Sequence, residues 1–177
     1  MSPAKQKNLT PRREASSPDT TAERLKELAA DPKLTRLVAS NPSTPADLLL
    51  ELSHSEDKGV RKACTANANT PLEALLKLGA QFPEQLLDNP VFNLVLLSHP
   101  GMFEELSTST LNSLLKRDQV PAELIRWAWK HRSESSQHSL LMNPNTPADV
   151  VSELRKSKDE GVRIAAELHC SQETPAW

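Results

Sequence analysis

Two stretches of the chain, 102 residues apart, share the same pattern. Residues 44–63 and residues 146–165 both follow T-P-A-D-x3-E-L-x2-S-x-D-x-G-V-R-x-A, with twelve identities and no gap. A match of this density does not arise by chance, so the chain contains internal repeats of about 25 residues, four of which make up the offset. This feature constrains the fold most, because each short unit has to pack on its neighbours to be stable.

Prolines mark the other units. One residue marks the start of each unit: Thr21, Pro45, Pro71, Pro100, Pro121, Pro147 and Pro175. The intervals between consecutive markers are 24, 26, 29, 21, 26 and 28 residues. The irregular intervals of 29 and 21 residues together make two ordinary repeats. We therefore expect a slipped turn inside a double unit near residues 82–120, with the register restored beyond it.

Each unit begins with a helix-start signal. A threonine is interpreted as the N-cap, the proline after it as the first helical residue, and an acid as the third, which together form a capping box. The threonines are Thr44, Thr70 and Thr146, and the acids are Asp47, Glu73 and Asp149; Thr20 and Glu23 repeat the arrangement without proline. The 14 prolines therefore start helices and do not break them.

The apolar residues recur with helical spacing. They lie three, four and seven positions after the proline, which places them on one face of a short helix. The sets are Leu48, Leu49 and Leu52; Ala74, Leu75 and Leu78; Leu124, Ile125 and Ala128; and Val150, Val151 and Leu154. A polar turn and a second helical piece follow, ending at an asparagine such as Asn41, Asn67 or Asn143. With four glycines, no tyrosine and 3% aromatic residues, the chain is predicted to be all-α.

The repeat unit resembles the leucine-rich repeat variant family of bacterial helical-repeat proteins. The resemblance rests on Val60-Arg61, Asn67, Thr70-Pro71, Leu75 and Leu78, on Val162-Arg163, and most closely on the stretch Asn143–Pro147. It covers roughly residues 20–177 and implies α-helices alternating with short 3-10 pieces in a right-handed superhelical solenoid, comparable to HEAT repeats. Some family members carry a cysteine-rich iron–sulfur segment, which two cysteines cannot supply. No cofactor is expected.

The domain boundaries follow from composition. Residues 1–19 are predicted to be a disordered basic tail, because this segment contains Lys5, Lys7, Arg12 and Arg13 and almost no apolar residue. Residues 20–177 are predicted to form a solenoid of about six units.

The chain shows no sign of catalysis. Its five histidines lack metal-ligand spacing, and it has no G-x-S-x-G motif and no phosphate-binding glycine loop. Cys64 aligns with Val38 and Leu140 and is predicted to be a core residue. We expect a protein that is not an enzyme, binds no metal, does not enter the membrane and is cytoplasmic.

Arg61 and Arg163 follow Gly-Val at equivalent positions, four residues after Asp57 and Asp159. One interpretation is a contact within each repeat, either an ion pair or a donation to a turn carbonyl. The other is a row of cations for phosphates, which the adjacent acids disfavour.

Trp127 and Trp129 form the candidate binding site, together with Arg126, Lys130 and Arg132. Other units have Glu51, Lys77 and Glu153 at the place of Trp127, and Ser53, Gly79 and Arg155 at the place of Trp129. Exposed tryptophan beside arginine is typical of binding hot spots. The alternative is that a segment containing Phe82, Phe92 and Phe103 covers both rings.

The predicted function is therefore a non-catalytic scaffold that binds an unidentified partner protein through the solenoid surface. The alternative is a nucleic-acid-binding repeat protein. We disfavour it because the net charge is −2 and the cations are interleaved with acids along the sequence.

Overall fold

The computed structural model describes residues 10–131 and 139–171. Throughout this part of the chain the regular structure is helical, without a β-strand. The contacts divide the chain into two compact units, Met1–Pro100 and Gly101–Trp177. The all-helical prediction is confirmed, and each unit is described separately below.

The first unit contains eight short α-helices within its described residues. They are α1 (Pro11–Ser16), α2 (Ala22–Ala29), α3 (Thr35–Ser40), α4 (Ala46–Leu52), α5 (Lys58–Ala66), α6 (Leu72–Leu78), α7 (Pro83–Leu87) and α8 (Pro90–Ser98). Helix α3 packs on α1 and on α5, and α5 packs on α7. We call this stacked row the inner layer and the alternating helices α2, α4 and α6 the outer helices.

The second unit repeats the arrangement with fewer described helices. A 3-10 helix at Pro100–Glu105 leads into it. It is followed by α9 (Thr108–Leu115), α10 (Ala122–His131), a helical turn at residues 139–141, α11 (Ala148–Leu154) and α12 (Glu160–Ser171). Helix α10 packs on α11, and α11 on α12. Pro100 therefore starts a 3-10 helix, not a regular repeat helix.

Buried asparagines link consecutive repeats. The Asn67 Nδ2 donates to the carbonyl oxygens of Ala39 and Asn41 in the previous repeat, at 2.9 and 2.8 Å. Its Oδ1 accepts the Asn69 amide at 2.9 Å. Asn41, Asn89 and Asn143 make the same three bonds with their own neighbours. We call these four residues the ladder asparagines.

The ladder sets a common register for all repeats. Ser17 and Arg117 hold the equivalent place at the start of a ladder, where their carbonyl oxygens accept from Asn41 and Asn143. At the far end the His169 Nε2 lies 2.9 Å from the Asn143 carbonyl oxygen. Any residue can therefore be numbered by its distance from the ladder position of its own repeat.

The core follows this numbering. In four repeats the same three positions are buried, at most 8% exposed. They lie seven, eight and eleven places after the ladder position, which is Asn41, Asn67, Arg117 or Asn143. These are the apolar sets named from the sequence. Cys64, three places before Asn67, is fully buried, as are Val38 and Leu140 at equivalent positions. Burial raises the pKa of the Cys64 thiol to about 12. The predicted core is confirmed, and Cys64 belongs to it.

The fourth repeat departs from the rule. After Asn89 the helix α8 starts at once, because Asn89 caps it by accepting the Val91 amide at 2.9 Å. Leu97, eight places after Asn89, is 85% exposed, and Leu94 is 66% exposed. This departure lies inside the segment for which the sequence predicted an irregular double unit.

The threonines do not cap the helices that follow them. Thr44 is fully buried, and its Oγ1 donates to the Val38 carbonyl oxygen at 2.5 Å. Helix α4 has Pro45 at its N-cap position and no side-chain cap. Thr70 and Thr146 likewise donate to the carbonyl oxygens six residues earlier. The capping-box interpretation of these three threonines is therefore wrong, because each hydroxyl donates back to the preceding helical segment. The carbonyl that accepts it also accepts the backbone amide of the ladder asparagine.

The repeats begin before residue 20. Helix α1 lies inside the segment predicted to be a tail, and its Ala15 is fully buried in the core. The Glu14 carboxylate pairs with Arg24 at 2.8 Å, and the Glu14 carbonyl oxygen accepts from Thr20 at 2.7 Å. One buried alanine and these polar bonds are enough to hold α1, although its sequence has no apolar stripe. Residues 1–9 lie outside the described part of the chain.

Candidate interaction surface

The candidate site lies on α10 in the second unit. The helix buries Leu124, Ile125 and Ala128 on one face, which leaves Arg126 and Lys130 exposed on the other. Trp127 and Trp129 are half-buried. Arg132, the fifth predicted site residue, lies outside the described residues. The structure therefore brings four of the five predicted residues together on one short helix.

The Trp127 ring packs against two other rings. Its centroid is 5.4 Å from that of His131, one turn later on α10, and the two ring planes are nearly parallel at 19°. The centroid of Phe103 is 5.5 Å away with a tilted ring plane. Such pairs prefer offset-stacked or tilted arrangements. Phe103 comes from the segment expected to cover the tryptophans, but the cover is partial and leaves Trp127 half-buried.

Trp127 occupies a surface position of the repeat. It lies ten places after Arg117, as Glu51, Lys77 and Glu153 lie ten places after their ladder asparagines, and those three side chains are all exposed. A polar residue is therefore sufficient at this position for the fold. The large ring at Trp127 is an addition that the repeat itself does not require.

Arg126 has a structural role. Its Nε donates to the Asp149 carboxylate at 3.0 Å, which joins α10 to α11. This hydrogen bond raises the pKa of Arg126 and lowers that of Asp149. In the first unit Lys26 and Asp47 form the equivalent pair between α2 and α4 at 2.6 Å. The pair thus recurs where one repeat meets the next, although solvent screens exposed pairs of this kind and they contribute little to stability.

Arg61 and Arg163 are donors to turn carbonyls. The Arg61 Nη1 donates to the carbonyl oxygens of Ser55 and Glu56 at 2.7 and 2.9 Å, and Arg163 makes the same two bonds. The Asp57 carboxylate accepts the backbone amides of Gly59 and Val60 at the start of α5. The within-repeat interpretation is confirmed as carbonyl donation, which is made by the Nη1 of each guanidinium.

No catalytic arrangement accompanies this surface in the described residues. They contain no cluster of three or more histidine, cysteine or acidic side chains placed to hold a metal ion. They also contain no helix that is both long and apolar enough to span a bilayer.

The ladder asparagines were missed in the sequence. Their signal is visible as Asn-Pro or Asn-Ala at residues 41, 67, 89 and 143, but the sequence does not show which distant carbonyls these side chains bond. Their φ angles, like all others in the described residues, are negative. The asparagines therefore serve two bonds to the previous repeat and one local bond, not a left-handed turn.

Comparison with known families supports the repeat. The Leucine Rich Repeat Variant domain matches residues 10–68, which span α1 to the end of α5. The match starts ten residues before the resemblance inferred from the sequence and covers a smaller part of the chain. No curated protein and no solved structure gives a significant match.

Proposed function

Because residues 10–68 form a leucine-rich repeat variant domain, we propose that this protein is a non-catalytic interaction module, which binds a partner protein through the surface of α10. We further propose that the repeats wind into a right-handed superhelix and that the protein works in the cytoplasm. One observation carries the proposal. The half-buried Trp127 stands at a position where the other repeats present an exposed charged residue.

The chemistry of α10 suits a protein partner. Tryptophan supplies a large contact area at low entropic cost and is enriched in binding hot spots. The contacts of the Trp127 ring with Phe103 and with His131 hold the ring before any partner arrives. Lys130 is exposed beside it and makes no ion pair within the described residues. A preorganised ring with a free cation next to it fits a partner with an apolar pocket and an acidic rim.

The substitution Trp127→Glu tests the proposal, since glutamate is the residue of two other repeats at this position. The folded protein should lose about 1–3 kcal/mol of stability, because two aromatic pairs of about 0.5–1.5 kcal/mol each are removed. Binding should weaken by about 2 kcal/mol or more, as for a hot-spot tryptophan. The measurements are a thermal melt and a pull-down with mass spectrometry, followed by titration of the captured partner.

The matched control is Glu153→Ala, which changes the same position in another repeat and should retain the partner. Capture of the same proteins by wild type and by Trp127→Glu would contradict the proposal. A loss of several kcal/mol in the melt would show that the ring is structural, and the surface would then have to be abandoned.

A further inference from the structure

The two helix layers of the first unit differ in charge. The inner-layer helices α1, α3 and α5 carry six cations and one carboxylate, that of Glu14. The outer helices α2, α4 and α6 carry three cations and five carboxylates. Charges that alternate along the sequence are therefore separated in space. The part of the inner layer formed by α1, α3 and α5 is strongly basic, whereas α7 carries Glu84 and no cation.

The pairing of the cations differs in the same way. On the outer helices Arg24, Lys26 and Lys77 each form an ion pair, at 2.6 to 2.8 Å. On the inner layer Arg12, Arg36 and Lys62 are exposed and have no ion-pair or hydrogen-bond partner for their side chains within the described residues. These three cations remain available for a ligand.

Arg12, Arg36 and Lys62 share one register, and we call them the basic stripe. Each lies five residues before a ladder position, namely Ser17, Asn41 and Asn67. The ladder bonds between these positions align α1, α3 and α5, so that the three cations stand side by side. The residues one helical turn later are small and exposed: Ser16, Ser40 and Ala66. A ligand can therefore approach the stripe without displacing a bulky side chain.

Gly59 contributes to the stripe. A Cβ at this position would lie 3.4 Å from the Arg36 Cδ and 3.0 Å from the Asp57 Oδ1. The Arg36 side chain thus reaches from α3 to the first turn of α5. The nearby carboxylates of Asp31 and Asp57 lie in the turns before α3 and α5, where each accepts a backbone amide hydrogen bond.

The stripe has a defined length. Helix α7, the next in the inner layer, carries Glu84 at the position that corresponds to Lys62, and Asp88 follows. Three cations on adjacent helices are separated by about 8–10 Å each, the usual distance between packed helices. An extended polypeptide in the polyproline II conformation advances about 3.1 Å per residue with three residues per turn, so every third side chain faces the same side and lies about 9 Å further along. The spacing of the stripe thus matches acids at every third residue of an extended chain.

We infer that the basic stripe binds an extended segment of a partner protein that carries a carboxylate at every third residue, three in all. This inference rests on the proposed role as an interaction module and names a second surface on the other unit. Nucleic acid fits less well, because the described helices offer no exposed aromatic ring beside the stripe for base stacking and the acids of α7 end the stripe after three cations.

The test is an NMR titration of the full-length 15N-labelled protein at low ionic strength. One synthetic peptide has three aspartates separated by pairs of serines; a second has the same composition with the aspartates adjacent. The spaced peptide should bind more tightly and shift amides of α1, α3 and α5. The triple variant Arg12→Glu, Arg36→Glu, Lys62→Glu should weaken its binding about tenfold or more, since each exposed ion pair contributes modestly.

The control variant Lys33→Glu, Lys116→Glu, Lys158→Glu has the same net charge and should bind as the wild type does. Equal binding of the two peptides, or an equal loss in both variants, would overturn the inference. The inference would also be overturned if an oligothymidylate with three phosphates bound more tightly than the spaced peptide and only the stripe variant lost this binding. That outcome would assign the stripe to nucleic acid. Trp127→Glu should leave peptide binding unchanged, so the two proposals fail separately.

Discussion

Replacing Asn67 by alanine should destabilise the first unit by about 3 kcal/mol. The side chain is 7% exposed and makes three bonds, to the carbonyl oxygens of Ala39 and Asn41 and from the Asn69 amide. Each neutral hydrogen bond contributes about 1 kcal/mol net. The loss should exceed that sum if the buried Ala39 carbonyl stays unpaired, since an unpaired buried group costs about 1–3 kcal/mol. The Asn41 carbonyl still accepts the Thr44 amide at 3.1 Å.

The matched control is Asn112→Ala on α9. The Oδ1 of Asn112 is buried and has no hydrogen-bond partner among the described residues. Its removal should be neutral or stabilising, because an unpaired acceptor leaves the interior and alanine favours the helix. The two substitutions delete the same side-chain atoms, so a clearly larger loss at Asn67 reports the ladder bonds, which Asn112 does not make.

The assay is urea unfolding followed by circular dichroism, with hydrogen exchange to locate the loss. Exchange is needed because the chain has two compact units and the transition need not be two-state. Protection should fall in α3 and α5. The variant Asn67→Asp keeps the acceptor for the Asn69 amide but turns a carboxylate oxygen toward two carbonyl oxygens. It should therefore be at least as unstable as Asn67→Ala. A loss below about 1 kcal/mol for Asn67→Ala, or one equal to that of Asn112→Ala, would refute the reasoning.

Two further predictions follow from buried polar and thiol groups. The Thr146 Oγ1 donates to the Leu140 carbonyl oxygen, so Thr146→Val should lower stability by about 1 kcal/mol. Thr146→Asp, which would improve an N-cap, should lower it further; a thermal melt in which Asp stabilises would restore the capping interpretation. The raised pKa of Cys64, about 12 because of burial, means that the folded state retains the thiol proton above the ordinary value of about 8.5. In a Cys170→Ser background the folded protein should thus resist maleimide until it unfolds, and this group should favour unfolding as pH rises from about 8.5 toward 12. Rapid labelling of the folded protein at neutral pH would contradict it.

The apolar positions of each repeat could be predicted from the sequence because helical spacing is a local property. Leu48, Leu49 and Leu52 recur with a period that only a helix face explains, and all three are buried. The role of Thr44 could not be read in this way. Thr-Pro followed by an acid has the same appearance whether the hydroxyl accepts from the next helix or donates to the previous one, and only the position of the Val38 carbonyl decides between them.

The ladder and the charge separation depend on contacts between repeats. Asn67 bonds residues 26 and 28 places earlier in the chain, a distance at which no local rule applies. The argument that interleaved charges disfavour a nucleic-acid-binding protein has the same limit, because it does not take account of the helix layer on which each charge lies. Arg36 and Asp47 are close neighbours in sequence, yet one lies on the inner layer and the other on an outer helix. Interleaved charges along the chain therefore do not exclude a basic surface once the helices alternate between two layers.

The ladder also explains how such an array can acquire a binding site. Because Asn41 and Asn67 each bond the backbone of the previous repeat, the register holds whichever residues occupy the exposed positions. One substitution per repeat at a constant distance from the ladder then builds a continuous row, as at the basic stripe. A single large substitution at such a position builds a local anchor, as at Trp127. The two proposed surfaces thus arise from one device, in which buried amides fix the geometry and exposed positions are free to determine the partner.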